Sequence, residues 1–156
     1  MPVSQSPRLP SPSVLLVVAL FLVSLVPAGC SDPDREILAG MGEAEQARFL
    51  RGRVVSTPCW TCHDLAGRGK KVGPSLQGIY GRRSGLAPDR EGSPAMIGAT
   101  IVWDDRSLGA FLRDPSGFVP GNRMVFPGIR DPGALSDLLF YLRHVTRPPP
   151  PASEAG

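Results

Sequence analysis

The chain has 156 residues, room for one small domain, and its 18 glycines and 18 prolines favour loops over long regular elements. Formal charge is +3, from 17 basic and 14 acidic residues; only Arg8 precedes Cys30, so the rest of the chain holds 16 basic residues against the same 14 acidic ones. That near balance gives no warrant for nucleic-acid binding, which needs a clustered basic face.

Met1–Ser13 is polar and Pro-rich, and Val14–Val26 is an uninterrupted run, mostly Val, Leu and Ala. The run is short of the roughly 20 residues that span a bilayer, so residues 1–29 read as an export signal. The small residues of Pro27-Ala28-Gly29-Cys30 resemble a bacterial lipoprotein cleavage site, with Pro27 where a Leu is usual. That resemblance implies a lipid on Cys30, which becomes the new N-terminus, and a membrane anchor on the periplasmic side. Ordinary signal-peptide cleavage is the alternative.

Residues 30–42 read as a polar tether, and residues 43–146 as the folded domain. Glu43–Val55 is expected to be helical, with Ala44, Ala47, Leu50 and Val54 recurring at helical spacing. Asp64–Ile101 is dense in Gly and Pro and reads as loops. Asp104–Arg113 reads as a short helix with Leu108, Phe111 and Leu112 on one face. Asp131-Pro132 is an N-cap followed by Pro at the first helical position. The apolar stripe Leu135, Leu138, Leu139, Leu142 and Val145 then marks the clearest helix in the chain. Residues 147–156 form a Pro-rich tail expected to be disordered. No strand pattern or internal repeat is visible, so the fold class is all-α.

Cys59-Trp60-Thr61-Cys62-His63 carries the chemistry. Two thiols at this spacing reach the two vinyl groups of one haem, and the following histidine falls beneath the iron. A redox dithiol motif needs a βαβ setting, and a zinc site needs four ligands. Neither pattern is present: the remaining Cys and His are Cys30 and His144. A large apolar cofactor also relieves the core shortage of a domain of roughly 100 residues. For the sixth iron position the chain offers Met41, Met96, Met124 and His144. Most methionines fill cores, but Met124 sits in Pro120-Gly121-Asn122-Arg123-Met124-Val125-Phe126-Pro127-Gly128-Ile129, between two Pro-Gly turns.

The motif, Gly73–Gly85, Trp103, the Met124 loop and the segment Leu138–Leu142 together resemble the class I cytochromes c, in particular the mitochondrial-like branch, in order and spacing. The resemblance covers about residues 42–146. It implies three main helices and long loops wrapped around one covalent haem c held by Cys59 and Cys62. It further implies His63 as proximal ligand, Pro74 as acceptor of the histidine's ring N–H, Met124 as distal ligand, and Arg82 and Trp103 as partners of a haem propionate. Tyr141 matches the aromatic that packs the last helix on the first, and Gly52 is the candidate for that contact's glycine. Gly92 and Phe111 depart from the pattern, standing where the mitochondrial proteins carry tyrosines.

The expected function is electron transfer between redox protein partners, without enzymatic activity. The expected setting is a respiratory or related chain, as a membrane-tethered carrier or as a fixed haem subunit of a dehydrogenase or oxidase complex. An open-iron haem enzyme is disfavoured by Met124. Arg68, Lys70, Lys71, Arg82 and Arg83 gather in the middle of the chain, as a solvated surface or as a docking patch for an acidic partner.

Overall fold

The structure, a computed structural model, describes residues 34–67 and 69–148. The segment expected to be an export signal, Cys30, Arg68 and the tail beyond residue 148 lie outside them.

Among the described residues seven helices follow in chain order: α1 (Asp34–Ala39), α2 (Glu43–Val55), α3 (Thr57–Cys62), α4 (Pro94–Gly98), α5 (Asp105–Arg113), α6 (Pro115–Phe118) and α7 (Pro132–Val145). Among the described residues the only β-type pairings are two isolated bridges, Arg83 with Val102 and Leu86 with Glu91.

The expected tether is partly folded. Residues 34–39 are helical, and Ile37, Leu38 and Met41 pack against the core. Gln46 fixes this entry by donating from Nε2 to the carbonyls of Leu38 (3.2 Å) and Met41 (3.0 Å). Three apolar side chains in a stretch otherwise polar were enough to dock it.

Helix α2 has the predicted bounds, and Glu45 closes its N-terminus by accepting the Gly42 N–H at 3.1 Å. Its buried face is not the expected one. Ala44, Ala47, Leu50 and Val54 point outward, Val54 being 72% exposed, while Phe49 and Gly52 are buried. The reason is the crossing with α7. A Cβ on Gly52 would lie 2.1 Å from the Asp137 carbonyl oxygen and 2.7 Å from Tyr141 Cβ, so only glycine admits this approach. Phe49 then meets Tyr141 edge-on, with ring centroids 4.9 Å apart. Contact geometry with α7, rather than the count of apolar residues, chose the face. Arg51 and Arg48 flank the crossing and pair with Asp137, with nitrogen–oxygen distances of 2.6 and 3.4 Å.

Ser56 joins α2 to α3; it is fully buried and donates its hydroxyl to the Arg53 carbonyl at 2.7 Å. Pro58 then stands in the first turn of α3, where its missing N–H is tolerated. Helix α5 starts on Asp104, whose Oδ1 accepts the Ser107 N–H at 2.7 Å, and buries Leu108, Phe111 and Leu112 as predicted. Helix α7 starts on Asp131, which accepts the Ala134 N–H at 2.6 Å. It buries Leu135, Leu138, Tyr141, Leu142 and Val145. Residues 64–101 run as loops except for α4, which Ser93 caps.

Candidate haem-binding site

Helix α3 carries Cys59 and Cys62 on adjacent turns and hands the chain to His63, whose backbone is extended (φ −117°, ψ 146°). The two cysteines do not form a disulfide, and Cys59 is half-buried while Cys62 is exposed. Burial pushes the Cys59 thiol above its ordinary value, opposite to the lowered pKa that activates a redox dithiol. Among the described residues, no three His, Cys, Asp or Glu side chains come together as a metal site.

His63 Nδ1 lies 2.7 Å from the Pro74 carbonyl oxygen. A carbonyl only accepts, so Nδ1 carries the proton and Nε2 of the neutral ring keeps a free lone pair. Gly73 permits this approach: a Cβ there would stand 2.4 Å from His63 Cε1. The Gly73 N–H in turn bonds the Cys62 carbonyl at 2.7 Å. Asp64 folds the loop after His63 by accepting the N–H groups of Gly67 (2.8 Å), Gly69 (2.8 Å) and Ala66 (3.2 Å). Burial pushes its carboxyl up, but those bonds and the charge of Lys71 outweigh it and hold the group below its ordinary value.

Arg82 and Trp103 are brought together by paired backbone bonds. The Trp103 N–H donates to the Arg82 carbonyl at 3.0 Å, and the Gly81 N–H to the Trp103 carbonyl at 2.8 Å. The Trp103 side chain is buried, its ring 5.3 Å from that of Phe111. Arg82 spends Nη1 on the Gln77 carbonyl (2.8 Å) and Nη2 on the Ser75 carbonyl (2.9 Å). Its Nε is buried with no partner among the described residues. Burial lowers the Arg82 pKa, with Asp89 acting against that, yet an arginine stays charged at any ordinary pH. A buried cationic N–H without an acceptor fits a haem propionate.

Met124 is half-buried against the core. Its loop opens with a turn in which the Asn122 N–H bonds the Val119 carbonyl at 3.1 Å and Gly121 takes φ +82°. It closes at Gly128 (φ +89°), where a Cβ would lie 2.1 Å from the Arg113 carbonyl oxygen. Of the other candidates for the sixth position, His144 is engaged elsewhere. Its Nδ1 bonds the Phe140 carbonyl at 2.7 Å, and its ring packs on those of Phe140 and Phe49. Met41 and Met96 pack against the core.

The sequence reading missed four residues that shape this site: Gly73, Asp64, Asn122 and Asp89. Gly73 and Asn122 lay inside quoted motifs and were legible as close-approach and turn residues. Asp64 and Asp89 act through backbone groups brought near by loop folding, for which sequence offers no period or spacing.

No protein-family model matches the chain. It is 37% identical over 95 residues to the cytochrome c of Sesamum indicum, covering 60% of this chain and 86% of that one. With the cytochrome c of Chlamydomonas reinhardtii the identity is 36% over 111 residues, 70% of this chain and 99% of the relative. Cytochrome c2 iso-2 of Magnetospirillum fulvum is 36% identical over 85 residues, 54% of this chain and 88% of the relative. Among solved structures, cytochrome cH from Methylobacterium extorquens superposes with a TM-score of 0.56 at 38% identity, covering 60% of this chain and 95% of that one. With the histidine's free ring nitrogen behind the cysteine pair and an arginine lacking its acceptor, these relatives complete the case: the chain belongs to the cytochrome c family as a class I c-type cytochrome, an electron carrier with one covalent haem c attached through Cys59 and Cys62.

Proposed function

We propose that this cytochrome is an exported, membrane-tethered electron carrier of a respiratory or related chain, held at the periplasmic face by a lipid on Cys30. The observation that carries the haem assignment is the 2.7 Å contact between His63 Nδ1 and the Pro74 carbonyl oxygen, which occupies Nδ1 and leaves Nε2 as the ring nitrogen available to iron next to the cysteine pair. In this reading His63 and Met124 would hold the haem iron. The Pro74 carbonyl fixes the histidine's tautomer, and Arg82 with Trp103 neutralises and buries a propionate. Bound haem supplies the one-electron ferrous–ferric couple, and thioether ligation favours its reduced form. The chain's own part would be to hold the iron through His63 and Met124, to fix the histidine's tautomer through Pro74, and to keep water away with the buried Trp103, Phe111 and Leu112. That arrangement suits outer-sphere electron transfer and opposes oxygen or peroxide chemistry. Ser31 after Cys30 is compatible with onward sorting to an outer membrane where one exists.

Purification from membranes, with mass spectrometry of the mature N-terminus and of co-purifying proteins, tests the setting. A chain starting at a diacylglyceryl Cys30 and free of stable partners is expected. A soluble chain starting elsewhere contradicts the anchor, and a stable complex supports the fixed-subunit reading instead.

A further inference from the structure

The loop 85–92 folds back on itself. The Gly92 N–H bonds the Gly85 carbonyl at 2.7 Å, and a bridge joins Leu86 to Glu91. A Cβ on Gly92 would lie 2.7 Å from Gly85 Cα, so the closure itself excludes the tyrosine that mitochondrial relatives carry there. The tip of this loop reaches the segment that presents Pro74. Asp89, whose side chain is 2% exposed, accepts the Ser75 N–H at 2.9 Å through Oδ1 and pairs through Oδ2 with Arg90 Nε at 3.1 Å. Arg90 then donates Nη1 to the Val72 carbonyl (3.0 Å) and Nη2 to the Lys71 carbonyl (2.5 Å).

These bonds bracket Gly73-Pro74. Two carbonyls before it are tied by Arg90, and one N–H after it by Asp89. The Gly73 N–H goes to Cys62 and the Ser75 carbonyl to Arg82. Pro74 has no N–H of its own, so its carbonyl is aimed only by its neighbours. Charge-assisted bonds from a buried carboxylate and a forked guanidinium are the strongest such aims available.

We propose that Asp89 and Arg90 are positioning residues for the proximal ligand, acting as a clasp on residues 71–75 that sets the His63–Pro74 hydrogen bond. The inference rests on the reading of His63 as haem ligand. A firm N–H···O=C bond makes the ring a stronger donor and favours ferric iron. Releasing the clasp lets the carbonyl drift and shifts preference toward ferrous iron.

The test uses full-length, haem-loaded protein with Asp89→Ala and Arg90→Ala. Asp89→Asn keeps an acceptor for Ser75 but loses the charge, and Arg90→Lys keeps the charge but loses the fork. The readouts are the reduction potential and the exchange of the His63 Nδ1 proton with deuterium oxide, followed by nuclear magnetic resonance in the ferrous state. For the alanine variants we expect a tenfold shift toward the reduced form, or about 59 mV upward, and at least tenfold faster exchange. The milder variants should show smaller shifts in the same directions. If the alanine proteins fail to accumulate, the milder pair decides by the same readouts. Unchanged potential and exchange, with haem still attached and both axial ligands in place, overturn the clasp and leave the haem reading intact. An iron that keeps its nitrogen ligand in the His63→Ala variant overturns both.

Discussion

Asn122 holds Met124 in place: its Oδ1 accepts the Met124 N–H at 2.9 Å, while its Nδ2 donates to the carbonyls of Pro115 (2.7 Å) and Val119 (2.8 Å). One amide side chain thus ties the distal loop to α6 and to the turn before it. A half-buried methionine gains a fixed backbone without a helix or strand beneath it.

Met124→Ala should therefore open the iron to carbon monoxide in the reduced protein, and Met96→Ala should not. Asn122→Ala should keep the ligand but weaken its hold, with faster carbon monoxide entry than the parent. Carbon monoxide difference spectra of the three variants check this. Binding to Met96→Ala but not to Met124→Ala would reverse the assignment.

Gly52→Ala is expected to destabilise the fold. Helix propensity favours alanine by about 1 kcal/mol, but overpacking against the Asp137 carbonyl and Tyr141 costs on the order of 3 kcal/mol. The net loss is on the order of 2 kcal/mol. Denaturant unfolding of the haem-loaded variant measures it, and a change below about 0.5 kcal/mol would mean that α2 and α7 cross less closely.

Acid stability should carry a contribution from Asp89. Burial pushes its carboxyl up, but the Ser75 N–H and the Arg90 guanidinium outweigh it and hold the group below its ordinary value of 3.8. The folded value is the lower one, so its stabilisation is complete above about pH 4 and fades as pH falls through the folded value. Asp89→Asn should be less stable than the parent at neutral pH and approach it as pH falls below the ordinary carboxylate range. Parallel melting curves across that window are the check, and a constant difference would contradict it.

At high pH the distal loop offers no replacement ligand. In mitochondrial cytochromes c, lysines near the distal methionine displace it as pH rises. Here the only lysines are Lys70 and Lys71, and Lys71 Nζ bonds the Trp60 carbonyl and lies 5.8 Å from the Trp60 ring. Arg123, beside Met124, does not deprotonate. No lysine-ligated alkaline form is expected in a titration of the ferric protein that follows the weak long-wavelength iron–sulfur band. Loss of that band to a nitrogen-ligated species that disappears in Lys70→Ala/Lys71→Ala would mean that the distal loop travels much further.

What was legible in the sequence follows the physics of each element. Helices α5 and α7 announced themselves through caps and apolar stripes because both signals are local. The bounds of α2 were equally legible, but its buried face was not. Gly52 contributes nothing to an apolar pattern and yet decides which side of the helix meets α7. Ile37 and Leu38 were hidden in a polar stretch, and the segment's docking is fixed by Gln46, which bonds the Leu38 carbonyl from eight residues on. The cysteine–histidine motif and the Met124 loop were readable because covalent attachment and tight turns demand fixed spacing. The Asp89–Arg90 clasp was not, since it joins backbone groups across a loop whose path no period predicts.

The most direct test is acid–acetone extraction of the protein purified from its native host, combined with its intact mass, for the parent and for Cys59→Ser/Cys62→Ser. One haem that resists extraction and adds its mass to the parent chain is expected, and no attached haem in the double variant. A parent chain of unmodified mass, or haem that survives extraction from the double variant, would contradict it.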